Sequence, residues 1–260
     1  MEVSKKDVYK MLCDFNIKKS DFVVVHISLK SIGKFKEGAN GLLDAFVSYL
    51  SDGMFMVPTH TWKTVNSENS IFDVTKTESC VGVFTKICTI EALKRDNAVR
   101  TLHPTHSAAL FGKHAKEYAK SEIDVKSRTA PEGVWGRLYN KNAKVLLIGV
   151  GLERNTYLHS IDEEYNGLPY DNKYCFFDSV TIDEKGKEHI CKNMNCDCYW
   201  RSSDFPKLEK YLQKNDVLMY GKLGNAKVIC FDVKKGHDTI IELCKKTKNP
   251  KDFSELIKNI

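Results

Sequence analysis

The sequence lacks any apolar run long enough to cross a membrane. Runs such as residues 145–150 (VLLIGV) are far shorter than the roughly 20 residues that a membrane-spanning helix needs. The first residues, MEVSKKD, have no apolar signal-peptide core, and the six prolines form no proline-rich linker. We therefore expect a cytoplasmic, globular protein that does not associate with membranes.

Motifs of several common enzyme classes are also absent. The sequence contains no G-x-S-x-G turn of an α/β-hydrolase, no P-loop and no dinucleotide fingerprint. Nine cysteines without an export signal are typical of reduced thiols, which argues against a disulfide framework. The net charge of +6 suits a small polyanionic ligand such as a nucleotide cofactor, whereas lysines without interleaved aromatic residues do not indicate nucleic-acid binding.

Three apolar segments predict buried strands. Residues 21–28 (DFVVVHIS) and 143–150 (AKVLLIGV) are almost continuously apolar, as in strands covered on both faces, and residues 54–58 (MFMVP) predict a third strand. Residues 42–50 have helical apolar spacing between two of these strands. The strand–helix–strand order predicts parallel pairing with helices on the faces of the sheet.

The remaining predicted elements extend over the whole chain, beginning with Ser4 as an N-cap. They are helices at residues 5–15, 82–93, 155–165, 206–213 and 239–246, strands at 107–111, 176–182 and 228–233, and a polar surface loop at 66–79. The sequence has no internal repeat or linker. We therefore expect one α/β domain over residues 1–260, with a central mainly parallel or mixed sheet flanked by helices and a more β-rich C-terminal portion.

His159 has the spacing of a general base. It lies beside the apolar face of the predicted helix at residues 155–165. Asp162 and Glu163 follow one turn later, where a carboxylate can orient the imidazole and stabilise its protonated form. A surface histidine in a helical salt bridge has the same spacing, so the pattern leaves both interpretations open.

His103 and His106 form a second cluster in a predicted loop. Two histidines at this spacing are compatible with metal binding, to which Cys191, Cys196 and Cys198 could add ligands. A metal-dependent hydrolase would use His103 and His106 together with His159. The C-x4-C-x-C spacing of those cysteines is not that of a zinc ribbon, so we predict no metal. The alternative is that the loop hydrogen-bonds a substrate.

Residues 28–33 (SLKSIG) follow the first predicted strand and precede a helix. Loops at the carboxyl ends of parallel strands bind ligands in open α/β sheets. Backbone amides here, with Lys30 and a helix N-terminus, could hold phosphate. The same residues also fit an ordinary strand–helix connection.

Seven short segments occur in a fixed order within residues 5–235. They are residues 25–33 (VHISLKSIG), 57–61 (VPTHT), 72–82 (FDVTKTESCVG), 100–107 (RTLHPTHS), 134–138 (VWGRL), 145–151 (VLLIGVG) and 155–159 (NTYLH). In their order and their residues they resemble the motifs of the aminoglycoside 3-N-acetyltransferase family, which is distinct from the GNAT acetyltransferases. For example, residues 100–107 are close to that family's R-S-L-H-P-T-H-S block.

The resemblance implies direct transfer of acetyl from acetyl-CoA to the 3-amino group of an aminoglycoside, and hence a role in antibiotic resistance. His159 corresponds to the family's proposed base, which would take the proton of the acceptor amine. Asp197 is then the expected acidic partner of His159, with Asp162 and Glu163 as local alternatives. The sequence is compatible with a homodimer but does not indicate the oligomeric state.

The resemblance also implies two sets of binding residues. Thr105 and Ser107 would lie near the thioester, where a hydroxyl or an amide could stabilise a developing oxyanion. The full set of expected cofactor contacts is Lys30, Ser31, Ile32, Gly33, His103, Thr105, Ser107, Trp135 and Gly136. The expected acceptor contacts are Thr61, Trp62, Asp73, Glu78 and His106.

Some departures from the family pattern concern the acceptor. Aminoglycosides are polycations, so a site that modifies them should carry carboxylates. Residues 192–201 (KNMNCDCYWR) are unlike the acidic segment often found there, and Asp162 replaces the usual glutamate. Two alternatives therefore stay open: an acetyltransferase of the same fold that acts on another amine, and a non-catalytic CoA-binding homologue.

Overall fold

A seven-stranded mixed sheet forms the centre of the computed structural model, which describes residues 2–120, 122–125, 127–168, 176–194 and 198–260. The strands are β1 (Phe22–Ile27), β2 (Met54–Pro58), β3 (Ile71–Asp73), β4 (Ala98–Arg100), β5 (Ala108–Phe111), β6 (Lys144–Ile148), β7 (Phe176–Ile182), β8 (Glu188–Met194), β9 (Leu218–Leu223) and β10 (Ala226–Asp232). The central sheet has the order β4-β5-β2-β1-β6-β10-β9. A smaller sheet has the order β3-β7-β8.

The three middle strands of the large sheet, β2, β1 and β6, are parallel, and the strands outside them pair antiparallel. The expected mixed sheet is therefore confirmed. Because β1, β2 and β6 run in the same direction, the residues that follow them lie at one edge of the sheet. The antiparallel strand β5 begins at that edge, which brings the loop before it to the same place.

The helices are α1 (Lys5–Asp14), α2 (Leu29–Ile32), α3 (Gly38–Tyr49), α4 (Val83–Ala92), α5 (Ala115–Tyr118), α6 (Tyr157–Asn166), α7 (Glu209–Lys214), α8 (Val233–Lys246) and α9 (Phe253–Ile257). Short 3₁₀ helices cover Glu122–Asp124, Gly136–Lys141, Leu152–Arg154 and Ser202–Leu208. Within the described ranges, none of these helices combines the length and the apolar character that spanning a bilayer requires.

Helices cover both faces of the central sheet. Side chains alternate along β1: Val24 packs into an apolar cluster that includes residues of α6 and α8, whereas Val23 and Val25 pack into a second cluster with residues of α1, α3 and α4. This burial on both faces explains the almost continuous apolar character of the strand.

The polar segment at residues 66–79 was predicted as a surface loop, and this prediction is wrong in part. It contains β3, which pairs in parallel with β7, more than 100 residues further along the chain. Phe72 is fully buried, and the Arg100 guanidinium lies 4.8 Å from the centre of its ring. A strand of three residues carries too little periodicity to be detected among polar neighbours.

The helix predicted at residues 155–165 is α6, which begins at Tyr157. The Asn155 side chain accepts a hydrogen bond from the Tyr157 amide at 3.2 Å, so it satisfies one of the first amides of the helix. Tyr165, near the end of this helix, is 37% exposed. Asp162 and Glu163 are buried, because protein surrounds this helix on more than one side.

Candidate active site

A cleft with a volume of about 1230 Å³ opens at the edge of the sheet where β1, β2 and β6 end. The loops that follow these strands form much of its wall. Gly149, directly after β6, has a positive φ of 67°, and a Cβ there would lie 2.4 Å from the Ser31 Cβ. Glycine at this position therefore lets the loops after β1 and β6 approach closely.

His159 lies in the wall of this cleft, on α6. Its ring centre is 4.8 Å from that of Phe205, and its carbonyl oxygen faces the Cys198 thiol at 3.9 Å. Thr156, one turn earlier, lines the same cleft. The residue chosen from the sequence as the base thus has access to the cleft, and its catalytic role stays a prediction.

Asp162 and Glu163, which we call the carboxylate pair, are engaged by protein groups. Asp162 accepts hydrogen bonds from the Trp200 amide and the Asn166 side chain, each at 2.8 Å. Glu163 accepts from the Ser127 hydroxyl and, at 2.9 Å, from the Thr129 hydroxyl.

Burial raises the pKa of Asp162 to about 6 and raises the pKa of Glu163. Their direct action on His159 stays a prediction, as does that of Asp197, which lies outside the described residues.

Four buried histidines, which we call the imidazole wall, lie beside the cleft: His26, His60, His103 and His106. The ring centres of His60 and His106 are 4.5 Å apart, and those of His103 and His106 are 5.9 Å apart. Burial is the main cause that lowers the pKa of His26 and of His103 to about 3, and it lowers the pKa of His60 and His106 well below 6.5. All four imidazoles are therefore neutral at pH 7.

The backbone of the loop before β5 fixes two of these rings. His103 Nδ1 accepts hydrogen bonds from the amides of Thr105 at 3.2 Å and His106 at 3.0 Å. The Thr105 hydroxyl lies 3.0 Å from His106 Nδ1, and the indole of Trp135 donates to the His106 carbonyl oxygen at 3.0 Å. Most of the polar groups of residues 100–107 (RTLHPTHS) thus bond other protein groups and do not project into the cleft.

Other nitrogens of the wall have no such bonds. Across the described parts of the chain, His26 Nε2, His60 Nδ1 and His103 Nε2 are buried without a hydrogen-bond partner. His26 and His60 both line the cleft, at the ends of β1 and β2. Buried polar atoms normally have partners, so these two nitrogens point to a ligand in the cleft.

Of the residues predicted to contact the cofactor, Lys30 lines the cleft. The Ser31 hydroxyl donates to the Ser28 hydroxyl at 2.9 Å and reaches the Gly149 carbonyl at 3.4 Å, so it ties the loops after β1 and β6 together. Ile32 is buried, and Gly33 ends α2 with a φ of 94°. Both residues lie outside the cleft lining, so a contact with the cofactor stays a prediction for them.

The other predicted cofactor residues lie outside the cleft lining, and all of them except Gly136, which is partly exposed, are buried. The Ser107 hydroxyl donates to the Thr59 carbonyl oxygen at 2.9 Å. A Cβ at Gly136 would lie 2.3 Å from the Pro131 Cα, so this glycine permits close packing of the segment that carries Trp135. His103, Thr105, Ser107, Trp135 and Gly136 all lie outside the cleft lining. Their observed contacts support the wall, and direct cofactor binding by them stays a prediction.

The predicted acceptor residues are spread over a wider region. Trp62 and His106 line the cleft. Thr61 is buried and donates to the Pro104 carbonyl oxygen. Asp73 pairs with Lys76 at 2.8 Å and Glu78 with Lys86 at 2.6 Å, and both acidic side chains lie outside the cleft lining. The structure thus brings two of these five residues to the cleft.

The charged side chains of the described cleft lining are mostly basic. They are Lys30, Lys63, Arg128, Arg154 and Arg201, with Glu153 as the acidic member. Glu153 accepts a hydrogen bond from the Gly151 amide at 3.1 Å within its own loop. This charge distribution favours a polyanionic ligand.

Sequence reasoning missed four residues of the cleft: His26, His60, Arg128 and Arg154. The two histidines lie within two of the family-like segments, residues 25–33 and 57–61, so their position at the ends of predicted strands was the available signal. Arg128 carries no local signal. Within the described ranges, no group of three or more His, Cys, Asp or Glu side chains is arranged to hold a metal ion.

Comparison with known proteins agrees with this architecture. A model of the family described as aminoglycoside 3-N-acetyltransferase matches residues 24–245. Aminoglycoside N(3)-acetyltransferase IV from Salmonella is 24% identical over 230 residues, covering 86% of this chain and 81% of the relative.

Two solved structures share the fold. One is a mutant of aminoglycoside acetyltransferase AAC(3)-IVa in complex with gentamicin, with a TM-score of 0.77, 20% identity and coverage of 95% of this chain and 90% of the other. The second is AAC-IIIb in a binary complex with CoASH, with a TM-score of 0.77, 13% identity and coverage of 95% and 98%. At these identities the likeness shows a common fold.

Proposed function

Because this chain belongs to the aminoglycoside 3-N-acetyltransferase family, we propose that it transfers the acetyl group of acetyl-CoA to the 3-amino group of an aminoglycoside, with His159 as the general base. The observation that carries this proposal is the position of His159. It lies in a cleft at the carboxyl ends of three parallel strands, where α/β sheets bind their ligands, and the described lining of that cleft is basic.

The base is needed because an ammonium group has no lone pair with which to attack. His159 accepts a proton from the acceptor amine, and the freed lone pair forms the new C–N bond at the acetyl carbon. The C–S bond breaks, and CoA leaves as a thiolate that takes up a proton. The neutral state of His26, His60, His103 and His106 leaves the neighbouring wall uncharged during this transfer.

The basic cleft lining supports acetyl-CoA as the donor substrate. CoA carries several phosphate charges, and Lys30 and Arg154 lie on the short helical segments that follow β1 and β6, where they can contact phosphate. Ser31 supports this arrangement by joining the segments after β1 and β6. The related AAC-IIIb was solved with CoASH.

A second candidate acceptor is an amine other than an aminoglycoside. It is favoured by the same basic lining, which carries Lys63, Arg128 and Arg201. Because Glu153 is the one carboxylate among the described lining residues, a polycation gains little from it. Asp171 and Asp197 are two further acidic residues of the chain that could bind a cationic acceptor, and both lie outside the described residues. The family and the related gentamicin complex place the aminoglycoside first among the candidates.

The proposal is tested by measuring CoA release with a thiol reagent in the presence of acetyl-CoA and a panel of amines. The panel contains gentamicin, sisomicin and simple primary amines, and a reaction without amine corrects for thioester hydrolysis. We expect release with aminoglycosides and a mass increase of one acetyl group on the acceptor. Cells that express the protein should then tolerate more of the same drug.

If CoA is released only with simple amines, the acceptor is an amine other than an aminoglycoside, which is the second candidate. Binding of acetyl-CoA without release for any amine would overturn the enzymatic proposal in favour of a CoA-binding homologue.

A further inference from the structure

Acetyl transfer places negative charge on the thioester carbonyl oxygen, and a hydrogen-bond donor at that point lowers the barrier. The hydroxyls expected from the sequence to do this, those of Thr105 and Ser107, are fully buried. Thr105 bonds the His106 ring, and Ser107 bonds the Thr59 carbonyl oxygen. Their contacts leave the donor for the oxyanion unexplained.

His60 has the geometry of such a donor. It follows β2 at the edge of the sheet, is only 6% exposed and lines the cleft. Its Nδ1 has no hydrogen-bond partner within the described ranges. Leaving a buried ring nitrogen without a partner costs on the order of 1–3 kcal/mol, and a ligand atom bonded to it would remove that cost.

A contact on the other side of the ring connects His60 to the helix of the base. His60 Nε2 lies 3.3 Å from the Thr156 hydroxyl. Thr156 precedes α6, and its carbonyl oxygen accepts a hydrogen bond from the His159 amide at 3.2 Å. Thr156 therefore contacts both His60, through its hydroxyl, and His159, through its carbonyl oxygen. If the Thr156 hydroxyl donates to Nε2, the ring proton must be on Nδ1, the nitrogen that has no hydrogen-bond partner within the described ranges.

The surroundings keep this ring neutral. Burial is the main cause that lowers the pKa of His60, and His26, His103, Arg128 and His159 lower it further by charge repulsion. The packed rings of His106 and Trp135, at 4.5 and 5.4 Å, hold it in place. A neutral imidazole with a lowered pKa can donate a hydrogen bond to a developing oxyanion without giving up its proton.

We propose that His60 is a catalytic residue, whose Nδ1–H donates a hydrogen bond to the thioester carbonyl oxygen as the amine attacks, and that Thr156 is the positioning residue that sets its tautomer. The inference rests on the proposed acetyl transfer. No proton moves at His60: the amine proton goes to His159, the C–N bond forms, and the C–S bond breaks.

Substitutions that imitate one ring nitrogen at a time test this assignment. His60→Asn places an amide near the Nδ1 position, His60→Gln places one near Nε2, and His60→Leu removes both. We expect kcat to fall about 100-fold in His60→Leu and His60→Gln but only about tenfold in His60→Asn, because an oxyanion donor acts mainly in the transition state. The Kd of acetyl-CoA, measured by calorimetry, should change by less than about threefold.

Thr156→Val removes the hydroxyl while keeping the shape of the side chain. It should lower kcat about tenfold alone and have no further effect in the His60→Leu background, since the two residues act as one unit. His114→Asn, at an exposed histidine that does not line the cleft, is the matched control and should keep wild-type kcat.

The proposal is overturned if folded His60→Leu keeps kcat, if only the Kd of acetyl-CoA changes, or if His60→Gln is as active as His60→Asn. If the losses of kcat in Thr156→Val and His60→Leu are additive in the double variant, Thr156 does not act by positioning His60. These outcomes all require an active wild-type protein. Absence of CoA release from the wild type would instead reject the proposed function itself.

Discussion

The imidazole wall and the carboxylate pair are both buried beside the same cleft, yet they use their hydrogen bonds differently. Each oxygen of Asp162 and Glu163 accepts a bond from a protein group. In the wall, His26 and His60 keep a nitrogen without a partner among the described residues, and both line the cleft. The carboxylate oxygens are thus all engaged by protein groups, whereas the wall keeps unpartnered nitrogens that a ligand could bind.

The physical reason lies in the charge of the two groups. A buried carboxylate needs donors from the protein, because the ionised form loses its hydration when it is buried. The carboxylate pair meets this need by joining α6 to the segments at Ser127–Thr129 and Trp200. An imidazole can be neutral instead, so the wall tolerates burial with fewer bonds.

The largest effect is expected at His159, the side chain of α6 that reaches the cleft. His159→Gln should lower kcat by about 10²–10⁴-fold, because the acceptor amine then keeps its proton. The Kd of acetyl-CoA should stay near the wild-type value, as measured by calorimetry. His114→Gln serves as the control, and near-normal turnover in folded His159→Gln would exclude His159 as the base.

The imidazole wall should differ from the carboxylate pair in its effect on stability, because it should destabilise the protein as pH falls. His103 has a folded pKa of about 3, below the ordinary value of 6.5, so the folded state resists protonation and stability falls as pH drops below 6.5. Between pH 7 and pH 5 this residue should cost at most about 2 kcal/mol.

In His103→Asn the amide oxygen can still accept the bonds of Thr105 and His106, but the group no longer titrates. Urea unfolding at both pH values should therefore show a smaller loss in the variant. An equal loss in both proteins would show that His103 does not contribute to the pH dependence.

The carboxylate pair should show a slope of the opposite sign. Burial raises the pKa of Asp162 to about 6, above the ordinary 3.8, so its contribution to stability is full at low pH and is lost as pH rises through 6. Between pH 5 and pH 7 we expect a cost of about 1 kcal/mol that Asp162→Asn removes. The same urea series measures it, and a slope of the same sign as that of His103 would contradict the burial argument.

The smallest effect concerns a bond inside the wall. Thr105→Val removes the hydroxyl that contacts His106 Nδ1 and should lower the free energy of unfolding by about 1 kcal/mol. Thr105→Ser retains the hydroxyl and is the matched control, expected to lie close to wild type. If Val and Ser variants are equally stable, the hydroxyl does not stabilise the wall.

Much of the central sheet could be predicted because its strands are marked by local composition. The predicted strand at residues 54–58 coincides with β2, and β1 and β6 lie within the predicted segments. The three-residue strand β3 was missed, because its partner β7 is distant in sequence. The hydrogen-bond partners of Asp162 could not be predicted either, since Trp200 approaches α6 only after the chain has folded.

By itself, the sequence determined the mixed α/β fold, the family, and the position of His159 after a strand and near a carboxylate, because these depend on local apolar patterns and ordered motifs. Tertiary structure alone decided which polar groups serve which purpose. Burial and most bond partners come from distant segments. They engage every carboxylate oxygen of Asp162 and Glu163 and leave one ring nitrogen each of His26 and His60 without a hydrogen-bond partner among the described residues.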